Sequence, residues 1–173
     1  AITNVVTSFD DTSLASAGSG ITYSAGFSSV AGDGTADVLN SATFLLTGAN
    51  AGTGASGLTY TAFNAASNTT TVTGATDFDH GLTSDNGITF AAATSVTGTG
   101  GITNMVAVPF DATTGVAGAI TYTGFTAADT TTVTGVSGFN DGAKTSGAYT
   151  FANATSVTGT GAITNVVTSF DDT

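Results

Sequence analysis

Apolar and polar positions alternate along this chain in short runs. In ITYTGF, Ile120 and Tyr122 fall on one side and Thr121 and Thr123 on the other, the period-2 signature of a strand. Phe125 falls on the wrong side of that alternation, so a bend or bulge is expected at Gly124. Similar runs, ITNVV, ATSVTG and TTTVTG, are separated by turn-forming clusters such as Asp85-Asn86-Gly87 and Asn140-Asp141-Gly142. Thr and Gly are poor helix formers, Glu, Gln and Arg are absent and Lys occurs once, whereas Thr, Val, Ile, Phe and Tyr prefer strands, so an all-β chain is expected.

The runs recur. Ala1–Thr12 (AITNVVTSFDDT) returns letter for letter at Ala162–Thr173, which predicts one full tandem repeat over residues 1–161 and the start of the next over 162–173. Within it, Leu58–Gly74 matches Ile120–Gly135 with one insertion, and Ile88–Asn104 matches Tyr149–Asn165. These define sub-repeats 58–119 and 120–161, and ITYSAGFSS at Ile21–Ser29 reads as a diverged copy of the same opening. A tripeptide of large apolar residue, Thr, then Tyr, Phe or Asn starts at Ile2, Ile21, Leu58, Ile88, Ile102, Ile120, Tyr149 and Ile163. Its steps run from 14 to 37 residues and average to units of about 20. Such a unit holds too few large side chains to offset the entropy of ordering its backbone, so it folds only by stacking on neighbours. The expectation is a parallel β-solenoid of about 20 residues per turn, eight turns per repeat, rising about 38 Å at ~4.8 Å per turn. The alternative is a string of immunoglobulin-like sandwiches, which the 20-residue subdivision disfavours.

Composition narrows function more than fold. Thr, Ser, Ala and Gly fill 106 of 173 positions, yet eleven Phe and four Tyr argue against disorder. Thiolate metal centres and disulfides are excluded by the absence of Cys. One Lys, no Arg and a net charge of -11 argue against nucleic acid as a partner. No apolar run reaches the ~18 residues of a membrane span, so membrane insertion is not expected. No basic-then-apolar leader opens the sequence, so it is expected to lie inside a mature or longer protein.

The ITN, ITF and ATSVTGTG units resemble the β-strand-repeat regions of filamentous-haemagglutinin-like and autotransporter-passenger adhesins of bacteria. The resemblance spans the chain and rests on repeated, charge-poor, Thr/Gly/Ala-rich strands. It implies a right-handed parallel β-helix on the cell surface, acting as a shaft or an adhesive element.

Candidate sites are few. Asp10, Asp11, Asp33, Asp37, Asp77, Asp79, Asp85, Asp111, Asp129 and Asp141 supply oxygen ligands of the kind calcium takes. Their spacing fits no EF-hand, and Ala31–Leu39 puts Asp37 one place late for a calcium nonapeptide. They are expected to cap turns and keep the chain soluble. His80 and Lys144 are expected to be solvated loop residues, without the activated nucleophile of a triad; an isopeptide bond from Lys144 to an Asn is the less favoured reading. Thr-x-Thr pairs (Thr59/Thr61, Thr71/Thr73, Thr97/Thr99, Thr121/Thr123, Thr132/Thr134, Thr158/Thr160) resemble an ice-binding face, but the irregular unit lengths are expected to break their ranks. Asn68 and Asn153 match glycosylation acceptors. No catalytic, cofactor or metal site is expected. The chain reads as a non-enzymatic extracellular fibre or adhesin stalk that associates with itself. A glycan- or protein-binding module is the alternative, its site on the loops Leu45–Gly57 or Asp77–Gly87.

Overall fold

A computed structural model describes residues 2–5, 8–16, 19–24, 26–166 and 168–173, with the backbone alone for 2–5. Among the described residues every regular element is a strand, twenty-two in all. Parallel partners lie 23 to 30 residues apart, as in Phe110↔Val133 and Ser29↔Thr59. The chain is a β-solenoid with turns of about 25 residues, longer than the 20 expected and unlike immunoglobulin sandwiches.

The extra length is spent on a device the sequence reading did not foresee. Five times, the chain doubles back as a three-stranded antiparallel meander before resuming the coil. The first comprises β2 (Ser8–Asp10), β3 (Ala15–Ser16) and β4 (Ile21–Thr22). The second comprises β7 (Thr43–Gly48), β8 (Ala51–Gly54) and β9 (Thr59–Thr61). The third joins the end of β11 (Thr71–Asp79) to β12 (Ser84–Asp85) and β13 (Ile88–Thr89). The fourth is β15 (Phe110–Asp111), β16 (Val116–Ala117) and β17 (Ile120–Thr123). The fifth joins the end of β19 (Thr132–Asn140) to β20 (Thr145–Ser146) and β21 (Tyr149–Thr150). The plain strands are β1 (Ile2–Val5), β5 (Ser29–Gly32), β6 (Val38–Asn40), β10 (Ala65–Ser67), β14 (Ser95–Thr103), β18 (Ala127–Ala128) and β22 (Ser156–Thr164).

The pairings resolve into two ladders. Ladder I runs β4-β3-β2-β6-β10-β13-β12, then the C-terminal halves of β11 and β14, then β18-β21-β20 and the C-terminal halves of β19 and β22. Ladder II runs β1-β5-β9-β8-β7, the N-terminal halves of β11 and β14, β17-β16-β15 and the N-terminal halves of β19 and β22. The nine-residue strands turn from one ladder to the other at register shifts, between Thr73 and Asp77 in β11. The chain alternates between ladders and inserts a meander at every third visit, first into ladder I, then into ladder II.

Meander strands occupy rungs of the same ladders, so the molecule is taller than its coil count. Fourteen strands or half-strands stack in ladder I and twelve in ladder II, a height of roughly 60 Å at ~4.8 Å per rung. The rise per 161 residues is therefore about 60 Å rather than 38 Å.

Aromatic contacts join the ladders across the core. Phe9 meets Tyr60 at 5.9 Å, Phe44 meets Phe90 at 5.8 Å, Phe78 meets Tyr122 at 5.8 Å and Phe110 meets Tyr149 at 5.0 Å. Each geometry is tilted or edge-on, as the ring quadrupole favours. The expected bend at Gly124 is present: at φ +72° it ends β17, and Phe125 enters the core from the corner, 3% exposed.

Candidate functional site

Some of the carboxylates cap turns as expected, while Asp11, Asp37 and Asp85 are buried inside the fold. In four meanders a buried Phe is followed by Asp or Asn, whose side chain closes the next turn. Asp10 Oδ1 accepts from Thr12 and Ser13 N–H, Asp111 Oδ1 from Thr113 and Thr114 N–H, Asp79 Oδ1 from Leu82 N–H, and Asn140 Oδ1 from Ala143 N–H. The Ser13 N–H, with Thr12 and Asn40, holds Asp10 below the usual carboxylate range. Asp129 accepts from the backbone of Asn104 and Met105, and buried Asp85 from Thr76 and Asp77. Exposed Asp33 accepts from Thr35, and buried Asp37 accepts from Gly34 with its other oxygen unpaired.

Asp11 is the carboxylate that the sequence did not single out from its neighbour. It is 1% exposed. Its oxygens accept from Ser41 Oγ and Ser56 N–H at 2.9 Å, and from the hydroxyls of Ser56 and Tyr60. Four donors from three residues beyond residue 40 thus converge on one buried carboxyl group and tie the first meander to the second. Burial, then the bond to Asp11, pushes the Tyr60 hydroxyl far above its ordinary value.

His80 departs from expectation. It is half-buried rather than solvated, and its Nδ1 lies 2.7 Å from Tyr122 Oη. Burial lowers its pKa, outweighing the attraction of Asp79 and Asp129. Beside it, burial and then the charges of Asp85, Asp129 and Asp79 raise Asp77. The side-chain hydrogen bond of His80, among the described residues, is the one to Tyr122. Among the described residues no three His, Cys, Asp or Glu side chains are placed to hold a metal ion.

Lys144 pairs with Asp141 at 2.9 Å, both side chains more than a third exposed. Screening makes such a pair worth little, and this solvated setting offers no apolar site for an isopeptide bond. Asn68 and Asn153 are exposed.

The Thr ranks are more regular than the sequence spacing implies. Thr71, Ser95 and Thr121 stack in register, as do Thr73, Thr97 and Thr123, and the hydroxyls of Thr97 and Thr123 lie 2.8 Å apart. The irregular steps are absorbed by the meanders, so the ladder strands stay aligned. Thr43 extends the first file to four rungs, Leu45 ends the second at three, and β16 follows on the other side.

The proposed binding loops are both meander segments. Leu45–Gly57 forms the hairpin of β7 and β8, and Asp77–Gly87 includes the type I′ turn at Asn86-Gly87, where both residues have positive φ. An open pocket of about 430 Å³ lies elsewhere, between the fourth and fifth meanders, lined by Thr113, Gly135, Ser137, Ser146 and Tyr149. No helix among the described residues is long and apolar enough to cross a membrane. No family model matches the chain, and no curated protein or solved structure matches it either.

Proposed function

We propose that this protein is a structural, non-catalytic segment of an extracellular fibre or adhesin stalk on a bacterial or archaeal surface. The observation that carries the reading is the pair of ladders running from one end of the molecule to the other around one continuous core. Backbone hydrogen bonds along the stack bear axial load, and the aromatic pairs resist shear between the ladders. The resemblance to haemagglutinin-like and autotransporter-passenger repeats supports the same role. With a single Lys and no Arg, the chain offers trypsin one site, which suits exposure to proteases. A protease of broad specificity tests the reading, since trypsin can cut the chain at most once in any fold: the stacked ladders are expected to resist it, and rapid digestion to small pieces would contradict the shaft. Electron micrographs of the repeat array should show an unbroken rod advancing about 60 Å per 161 residues, whereas separate globular beads would refute the shaft.

A second reading, a glycan-binding module displayed on the surface, is favoured by the pocket beside Tyr149. Glycan-array binding abolished by Tyr149→Ala would support it, and an empty array would remove it.

A further inference from the structure

Asp11 and Asp37 are the most deeply buried carboxylates among the described residues, at 1% and 0% exposed, and only Asp11 is satisfied. Four donors close on Asp11. Asp37 has one, the Gly34 N–H at 3.0 Å from Oδ2. Its Oδ1 is buried without a partner. Leaving such an oxygen bare is costly. The single Lys is held elsewhere, by Asp141. Water does not supply the missing donor, because a fully buried residue adjoins no gap of a water's size.

The groups around Asp37 offer oxygen rather than hydrogen. The chain passes twice from ladder II to ladder I here, between β5 and β6 and between β9 and β10. The two corners stack, with Ala31↔Thr61 below them and Val38↔Ala65 above. A Cβ added at Gly32 would strike Asp37 Oδ2 and come within 2.8 Å of the Ala62 carbonyl oxygen. Glycine at 32 thus keeps open a space that a carboxylate and a carbonyl both face. Asn64 Oδ1 accepts from the Asp37 N–H at 3.3 Å and has a second lone pair to give. The N–H groups of Asn64 and Ala65 donate to the Asp37 carbonyl and fix the two corners together. Ala36 and Ala62 are both left-handed, at φ +58° and +62°, a conformation that costs an alanine free energy.

Acceptors that converge with no donor between them are the setting of a cation. We propose that Asp37 anchors a calcium site, completed by the Ala62 carbonyl and the Asn64 side-chain oxygen. Calcium takes carboxylate, backbone and amide oxygens at about 2.3–2.6 Å, closer than a water-sized probe approaches them. Its charge stands in for the missing donors in a chain of net charge -11. The ion bridges the corner at residues 32–37 to the corner at 62–64 and so staples adjacent coils. The exposed residues 33–36, tied to the carboxylate by the Gly34 bond, are the route of entry. Asp33 caps its own turn through the Thr35 N–H and is not a ligand. One carboxylate with carbonyl oxygens makes the site, so the spacing of the aspartates does not announce it. The proposal is independent of the shaft reading.

The test is a calcium titration of the chelator-treated chain, read by titration calorimetry and by thermal unfolding. Calcium at about 100 times its dissociation constant should raise Tm by about 5–10 °C. Asp37→Asn, which brings its own amide donors, should abolish the rise. Asn64→Ala should weaken binding by roughly tenfold, and it carries the test if Asp37→Asn fails to fold. Asp33→Asn should bind as the unaltered chain does. Absence of both heat and Tm shift up to about 10 mM calcium, beyond the range of weak extracellular sites, overturns the site. An undiminished response in Asp37→Asn or in Asn64→Ala also overturns it, by placing the ion among the exposed carboxylates.

Discussion

Strands β14 and β22 are nearly the same peptide, SVTGTGGIT and SVTGTGAIT, in different company. β14 lies between β11 on one side and β17 and β18 on the other; among the described residues β22 has β19 alone. Val96 and Ile102 are buried at 0% and 1%, whereas Ile163 is 47% exposed. Identical letters thus yield a core in one place and a surface in the other. Burial here is a property of the stack, since no turn buries its own apolar face. The comparison makes a direct prediction. Ile102→Ala should cost about 2–5 kcal/mol, the range for emptying a packed core site. Ile163→Ala, already half in water, should cost under about 1 kcal/mol in the dilute chain. Urea unfolding of both variants decides it, and equal losses would show that β22 is covered in the free molecule.

The same contrast holds for charge. Asp11 and Asp172 occupy identical SFDDT contexts, but only Asp11 is buried among donors. Asp11→Ala leaves the Ser56 N–H and the hydroxyls of Ser56 and Tyr60 without this acceptor, while Ser41 keeps the Thr43 carbonyl, and a loss of about 3 kcal/mol is expected. Asp172→Ala should stay within about 0.5 kcal/mol. Thermal unfolding measures the pair, and a small effect at Asp11 would mean that water replaces the network.

The stacking itself was legible because tandem copies of ITN, ITF and SVTG have no other way to bury their Val and Ile. The meanders were not legible. Strands β16 and β20 are two residues long and carry the same Thr, Ala and Ser as ladder strands, so period-2 patterning cannot tell a hairpin from a coil. Only the turn chemistry announced them, as at Asn86-Gly87. Misreading them as plain turns shortened the coil, shortened the predicted rise and made the Thr files seem broken. The role of Asp10 followed from local turn chemistry. That of Asp11 depended on Ser56 and Tyr60, 45 and 49 residues away, and the contact of His80 with Tyr122 spans 42. Such separations are set by how many residues each meander consumes.

Between meanders, one backbone position gives a finer comparison. The fifth residue after the leading Phe is left-handed in four of them: Leu14, Thr83, Gly115 and Lys144, at φ 53°, 49°, 71° and 54°. Only Gly115 adopts it without Cβ crowding. Lys144→Gly should therefore gain about 0.5–1 kcal/mol, since the surface pair with Asp141 that it removes contributes little. Leu14→Gly should gain less, because Leu14 also packs against the core. Differential scanning of the two variants ranks them, and destabilisation by Lys144→Gly would reverse the assignment of strain.

The smallest effect expected is a pH dependence that separates the His80 meander from the other four, which have no His. Burial lowers the folded-state pKa of His80 below its ordinary value of 6.5. The unfolded chain then binds the proton first as pH falls. The contribution of neutral His80 is present above pH 6.5 and is lost as pH drops through the lowered folded value. Carboxylates such as Asp10, whose folded pKa is also depressed, lose their contribution only below their ordinary range near 3.8. Between pH 7 and 5 the stability decline should therefore come from His80. His80→Gln, which keeps a polar contact for Tyr122 and cannot titrate, should flatten that segment and leave the fall below pH 4 in place. An unchanged slope in the variant would mean that the ring is as solvated as its sequence context first implies.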